Sequence, residues 1–388
     1  MASESAIPPG WSEVRLDEFL TLQRGHDLPK RVRQPGGVPV LGASGRVGWH
    51  NDAVVSGPSF TIGRAASIGN LVWEGQDFWP LNTTLYVTEA HGNDLRFAYY
   101  LLHTVDFQQY DSGSVQPMLN RNYVAGHRLV VPRVDEQRAI AEVLGSFDDA
   151  LEQCWSDQLT IRATAQALFR QSFSGGIETA LTEIVDVAPG RSYKSAELDD
   201  GSDVGLVNLK NIPRHGGFVP GGTKGYTGKY RDAQIVHSGD LVVACTDVTQ
   251  QGDVIGRCGR VRPSPSYSTL VASMDLAVVR PKVAWLSSEY LYEILSTPEY
   301  VEHAKRYVNG TTVLHMKKVA IADYITTIPS PDDVKRFTET VRPMWELHDR
   351  LDAEAATLAE LRDTLLPELL SGRLRIDNPE RLLADVTP

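Results

Sequence analysis

Arginine can grip guanine through two parallel hydrogen bonds, asparagine or glutamine can do the same for adenine, and serine or threonine can serve several base edges. This chain carries that vocabulary in short sets. The first half offers Arg64, Asn82-Thr83-Thr84, Gln108-Gln109 and Ser114-Val115-Gln116. The second half offers Lys210-Asn211, Thr223-Lys224, Lys229, Thr249-Gln250-Gln251 and Thr311-Thr312. Any single member is at least as well explained by a turn residue bonding its own backbone. As ordered sets they are candidate contacts to the edges of DNA bases.

Catalytic chemistry is thinly represented. The run Gly222-Thr223-Lys224-Gly225-Tyr226-Thr227-Gly228-Lys229 looks like a phosphate loop, but Thr223 stands where the first glycine belongs and Tyr230 where a magnesium-binding hydroxyl belongs. Gly256-Arg257-Cys258-Gly259 makes no dinucleotide fingerprint. The histidines form no metal-binding pair, and Cys154, Cys245 and Cys258 give neither a disulfide framework nor zinc spacing. Cys154 reads as a small buried hydrophobe. No serine lies in a nucleophile elbow, and neither Asn-Pro-Pro-Tyr nor Asp-Pro-Pro-Tyr, the signature of adenine amino-group methyltransferases, occurs. A free-standing nuclease or methyltransferase is therefore disfavoured.

The net charge of −11 argues weakly against a nucleic-acid footprint over the whole surface. Its distribution argues the other way. No acid lies between Asp203 and Asp232, where Lys210, Arg214, Lys224, Lys229 and Arg231 fall. Arg257, Arg260 and Arg262 occupy a second such interval, and Arg24, Lys30, Arg31 and Arg33 cluster against a lone Asp27. No apolar run is long enough to span a membrane, and the first residues lack signal-peptide character, so the expected compartment is the cytoplasm.

The elements that must carry these sets come in two copies. Adding 197 to residues 136–175 gives residues 333–372, with the apolar pattern kept. Ile140, Leu144, Phe147, Leu151, Cys154, Ile161, Ala165 and Leu168 form one helical seam, interrupted by Gln158. Phe337, Val341, Met344, His348, Leu351, Ala355, Leu358, Arg362, Leu365 and Leu369 form the other. Both segments read as long helices with coiled-coil faces. The offset extends back to Gly113 above Gly310, whereas the openings near Arg15 and Ala180 differ by 165, so the second copy holds about 32 more residues. Before each helix lie Gly-rich strands and a small helix, at 94–106 and 287–296, as expected of α+β domains. Strands are expected at 59–64, 69–73, 123–131, 204–211, 240–244, 273–279 and 324–328.

The ordered motifs resemble the DNA specificity subunit of type I restriction-modification enzymes. They are Trp11-Ser12-Glu13-Val14-Arg15-Leu16, Gly63-Arg64 with Gly69, Asn82-Thr83-Thr84, Asp111-Ser112-Gly113-Ser114, Pro132 with Glu136-Gln137 and Ile140, and Leu361-Arg362-Asp363-Thr364-Leu365-Leu366-Pro367 leading to Ser371-Gly372. Asp333-Val334 replaces Glu136-Gln137 in the second copy. The resemblance implies an α+β chain with a pseudo-two-fold repeat. Target recognition domains at 1–135 and 176–332 would be joined by antiparallel coiled-coil helices at 136–175 and 333–372, with a tail at 373–388. It implies a non-catalytic reader of a bipartite, asymmetric duplex site. Two modification methyltransferases and two motor-nuclease subunits would be its partners, and S-adenosylmethionine, ATP and magnesium would be held by those partners. No cofactor is expected in this chain. The alternative is a structural or protein-binding module without specific DNA recognition.

Overall fold

The computed structural model describes residues 7–111, 118–171, 175–249, 251–264, 266–311 and 313–376. Two compact units share the chain: Met1–Gln153 with Glu354–Pro388, and Cys154–Ala353. The division cuts through both long helices rather than falling at their ends, because each helix half packs on the core of one unit.

In the first unit, strands Ser12–Arg15 and Arg128–Val131 pair antiparallel, with Ser12 opposite Val131. A large sheet follows in the order Thr21–Arg24, Thr84–Glu89, Ser59–Gly63 and Leu71–Glu74. A small sheet sets Val38–Gly42 between Gly45–His50, antiparallel, and Trp79–Pro80, parallel. The second unit repeats the plan. Ile177–Ala180 pairs with Ile325–Ile328, and the large sheet runs Val185–Pro189, Leu276–Pro281, Leu241–Ala244 and Cys258–Arg260. Its small sheet sets Val204–Val207 between Lys224–Gly225, antiparallel, and Thr269–Ala272, parallel, with Ile235–Val236 added outside.

The two sequence offsets reappear as geometry. Ser12 opposite Val131 becomes Ile177 opposite Ile328, a shift of 165 on one strand and 197 on the other. Gly25 and Gly190 hold equivalent places. A Cβ on either would collide with the carbonyl oxygen of Leu81 or Ser273, because a parallel bridge brings the two backbones together there. The extra residues of the second copy lie chiefly between Gly190 and Ser273, around its small sheet.

Local chemistry sets the helix starts. Asp94 accepts the Phe97 N–H at 2.9 Å and Ser287 the Tyr290 N–H at 3.0 Å, opening helices Leu95–Leu102 and Ser288–Ser296. The expected strand at 123–131 begins instead as a helical turn, Arg121–Val124, because Asn120 caps it, and becomes strand only at Arg128. Strand 273–279 starts later, at Leu276. A helix not foreseen, Pro298–Lys305, follows the Thr297 cap with proline at its first position.

The long helices are Val134–Gln171 and Pro331–Leu370, with acids in both first turns, where the helix dipole favours them. Within the first unit Arg362 pairs with Asp148 at 2.8 Å and Arg375 with Glu136, so the two halves there run antiparallel. Within the second unit the two helices also touch, the rings of Phe169 and Phe337 lying 6.0 Å apart. Ile140, Leu144, Phe147, Leu151, Ile161, Phe337, Val341 and Leu358 are buried, as the seam requires. Leu168, Met344, Leu351 and Leu365 are only half-buried. At the first two places the neighbouring Phe169 and Trp345 are buried instead, since a 3.6-residue helix drifts from a strict heptad and passes the core position along by one. Beside Leu351 and Leu365, the seam residues one turn further on, Ala355 and Leu369, are buried.

Candidate nucleic-acid interface

Arg64 stands at the end of strand Ser59–Gly63, where three loops meet. Its N–H donates to the Thr83 carbonyl at 2.8 Å and its own carbonyl accepts the Leu119 N–H at 2.8 Å. Its guanidinium donates to the Asn82 carbonyl at 3.3 Å and lies 3.0 Å from Met118 Sδ. The Asn82 amide donates to the Asp27 carboxylate, which also faces Arg24 at 3.8 Å. Partial burial, with the Arg24 charge beside it, lowers the Arg64 pKa. A half-buried arginine held by one carbonyl and a thioether, with no carboxylate paired to it among the described residues, has hydrogen-bonding capacity left for an external acceptor.

The structure thus brings Arg64, Asn82 and Thr83 together. Exposed Gln108 is tied to the same loop through the Ile68 carbonyl at 3.2 Å. Gln109 is exposed and bonds the Asp106 carbonyl of its own turn at 2.9 Å. Thr84 is a correction: it is fully buried and its hydroxyl donates to the Leu81 carbonyl at 2.8 Å, so it shapes the turn and cannot reach a ligand. Ser114 and Gln116 lie outside the described residues. Asp27 and Met118 join this cluster without having been singled out. Only the closeness of Asp27 to Arg24 was visible beforehand.

In the second unit Asn211 is also a correction. It is buried, its amide donates to the Val219 carbonyl at 2.8 Å and Thr223 Oγ1 at 2.9 Å, and its oxygen accepts the Asn208 N–H at 2.8 Å. Asparagine is used here to tie a loop, and Thr223 is consumed with it. Lys210 and Lys229 are exposed, and Lys224 is half-buried on the outer strand of the small sheet. Thr249 gives both its N–H and its hydroxyl to Asp247, at 2.7 and 2.8 Å. Burial would raise the Asp247 carboxyl, but these bonds and that from the Val254 N–H hold it below its ordinary value. Thr249 is therefore a loop clamp as well. Gln251 and Thr311 are exposed. Thr312 lies outside the described residues.

Equivalent positions differ in chemistry. The Leu119 bond to Arg64 is matched by the Met316 N–H donating to the Cys245 carbonyl at 2.7 Å, so Cys245 occupies the place of Arg64. Cys245 is buried, and burial pushes its thiol up to about 12, which leaves it an inert hydrophobe. Cys154 and Cys258 are likewise buried. Among the described residues no group of three His, Cys, Asp or Glu side chains is placed to hold a metal ion. No helix among them is long and apolar enough to cross a membrane.

Two copies of one α+β plan, each packed on halves of the two long helices, differ in the side chains at their loop ends. Residues 8–160 match the family model described as the type I restriction modification DNA specificity domain. The chain is 17% identical over 416 residues to the type I restriction enzyme MjaVIII specificity subunit of Methanocaldococcus jannaschii, spanning 96% of this chain and 95% of that one. The MjaIX specificity subunit of the same organism is 22% identical over 315 residues, 72% of this chain and 69% of that one. The S subunit of a type I restriction-modification system from M. genitalium shares the fold, with a TM-score of 0.65 at 16% identity over 95% of this chain and 98% of that one. The resemblance to type I specificity subunits extends over nearly the whole chain.

Proposed function

We propose that this chain is the non-catalytic DNA-reading subunit of a type I restriction-modification system and that each of its two units reads one half of a bipartite, asymmetric duplex site. The observation carrying this reading is that one large-sheet topology is used twice, while equivalent loop positions hold different side chains, Arg64 in one copy and Cys245 in the other. A symmetric reader would repeat its contacts as well as its scaffold.

The long helices would space the units and dock two modification methyltransferases and two motor-nuclease subunits. S-adenosylmethionine, ATP and magnesium would belong to those partners, and methylation would fall on adenine. A methyltransferase that extrudes its target base needs the duplex gripped on both sides. Two units carrying separate contact sets supply such a grip.

Mapping methylated adenine genome-wide, with and without this gene, tests the reading. A split motif that vanishes on deletion is expected. An unchanged methylation map, in cells whose methyltransferase copurifies with this chain, would overturn it.

A further inference from the structure

A second set of cationic side chains lies in the first unit, outside the residues that hold Arg64. From Leu28 to Asn51 the chain contains no acidic residue but holds Lys30, Arg31, Arg33 and Arg46. This stretch forms the turn Lys30–Val32 and the outer strand Gly45–His50 of the small sheet. Contacts lock the two together: the Arg33 guanidinium donates to the Val47 carbonyl at 3.0 Å, and the Gln34 N–H to His50 Nδ1 at 3.0 Å. Among the described residues no carboxylate lies within ion-pairing distance of Lys30, Arg31 or Arg46, unlike Arg24, which faces Asp27.

The same surface exposes apolar groups. Val32, Val47 and Trp49 are 49%, 40% and 48% exposed, and the Arg46 guanidinium lies 4.7 Å from the centre of the Trp49 ring. A large ring left half in water beside uncompensated cations costs solubility and offers the fold nothing. It suits a polyanion that also has apolar faces.

The repeat supplies an independent argument. Lys224–Gly225 takes the place of Gly45–His50 at the outer edge of the second small sheet. It too lies in an acid-free stretch, 204–231, with Lys210, Lys229 and Arg231 exposed and an aromatic residue, Tyr230, 37% exposed. The two copies share little sequence, yet in both the stretch that supplies the outer strand also carries exposed cations and an exposed ring.

We propose that the outer strand Gly45–His50, with the turn Lys30–Val32, is a DNA contact of its own: Arg31 and Arg46 bind backbone phosphates, and Trp49 packs against the sugar and base edges between them. This rests on the DNA-reading function proposed above and assigns it contacts beyond those of the Arg64 cluster. Such a surface positions the duplex whatever its sequence, whereas Arg64 and its neighbours discriminate bases.

The test titrates the full chain, with its copurifying subunits, against a fluorescein-labelled mixed-sequence duplex over a salt series. Each lost phosphate contact makes the negative slope of log affinity against log salt shallower by about 0.9, so Arg31→Ala with Arg46→Ala is expected to reduce its magnitude by about two. Trp49→Ala is expected to weaken binding about fivefold or more, leaving the preference between cognate and scrambled duplex unchanged. Thermal melting provides the folding control, since all three side chains are exposed. Wild-type binding with an unaltered slope in the double variant would overturn this surface alone. Variants that lose their copurifying subunits while keeping the slope would reassign the patch to a protein partner and also overturn it. Failure of the wild-type assembly to bind any duplex would instead bring down the DNA-reading function itself.

Discussion

A half-buried arginine is a costly residue to keep unless something external uses it. Arg64 is held by the Asn82 carbonyl and Met118 rather than by an acid, whereas the partly buried Arg260 and Arg262 of the second unit are each matched to an aspartate. If Arg64 reads a base, Arg64→Ala removes about 1–3 kcal/mol of discrimination at that position. Methylation assays on sites altered in one half at a time should then show relaxed choice in one half only. Equal loss in both halves, from a variant with wild-type melting, would refute the modular reading. Glu293 makes a different kind of prediction. It is 2% exposed on helix Ser288–Ser296, and burial raises its carboxyl to about 8 despite the opposing charges of Arg162 and Arg170. The folded state thus favours the neutral acid, while the unfolded carboxyl ionises near pH 4.5. Its stabilising contribution is complete below that pH, falls as the pH rises, and has levelled off above about 8. Glu293→Gln should therefore gain melting temperature over wild type at pH 9 relative to pH 5. A constant difference between the two would show that the carboxyl does not titrate in this window.

At the scale of elements, ion pairs fix the second long helix to the sheets it serves. Arg260 meets Asp349 at 2.6 Å and Arg262 meets Asp352, with the guanidinium side chains only 15% and 11% exposed. Asp352→Ala would leave the Arg262 charge buried without its partner, at a cost of about 3 kcal/mol. Urea unfolding of the full chain should register that loss, and a change under about 0.5 kcal/mol, the scale of an ordinary surface substitution, would show that the pair is dispensable. The first unit secures its helix by other means. There Gln137 is buried and bonds the Asp94 N–H at 3.0 Å and the Pro132 carbonyl at 3.0 Å, while its counterpart Val334 fills the same place as pure core. Much of this level was legible in sequence. The long helices and the offset of 197 follow from apolar spacing, which packing then obeys. Asn211, Thr84 and Thr249 were not legible, because an amide or hydroxyl that reads DNA and one that ties a loop look alike until burial separates them. The small-sheet pairing was equally hidden, since its strands are short and their partners lie far along the chain.

For the whole molecule, the two copies differ where they would read and agree where they would be held. The strand pairs beside the long helices keep their register across the repeat, residue for residue, while the added residues of the second copy gather around its small sheet. Selection on spacing and selection on sequence choice would leave that contrast, because a change in helix length moves every contact whereas a change in a loop moves one. A helix of 38 residues is about 57 Å long, and a heptad accounts for about 10 Å of it. At 3.4 Å per base pair this is about three base pairs of duplex. Removing one heptad from the middle of each long helix together preserves the apolar period and the antiparallel pairing. The methylome of a cell carrying that variant should keep both half-site sequences and shorten the spacer by about three base pairs. Retention of the original spacer would mean that something other than helix length sets it. Loss of one half-site sequence would mean that the units do not read independently of the helices that carry them.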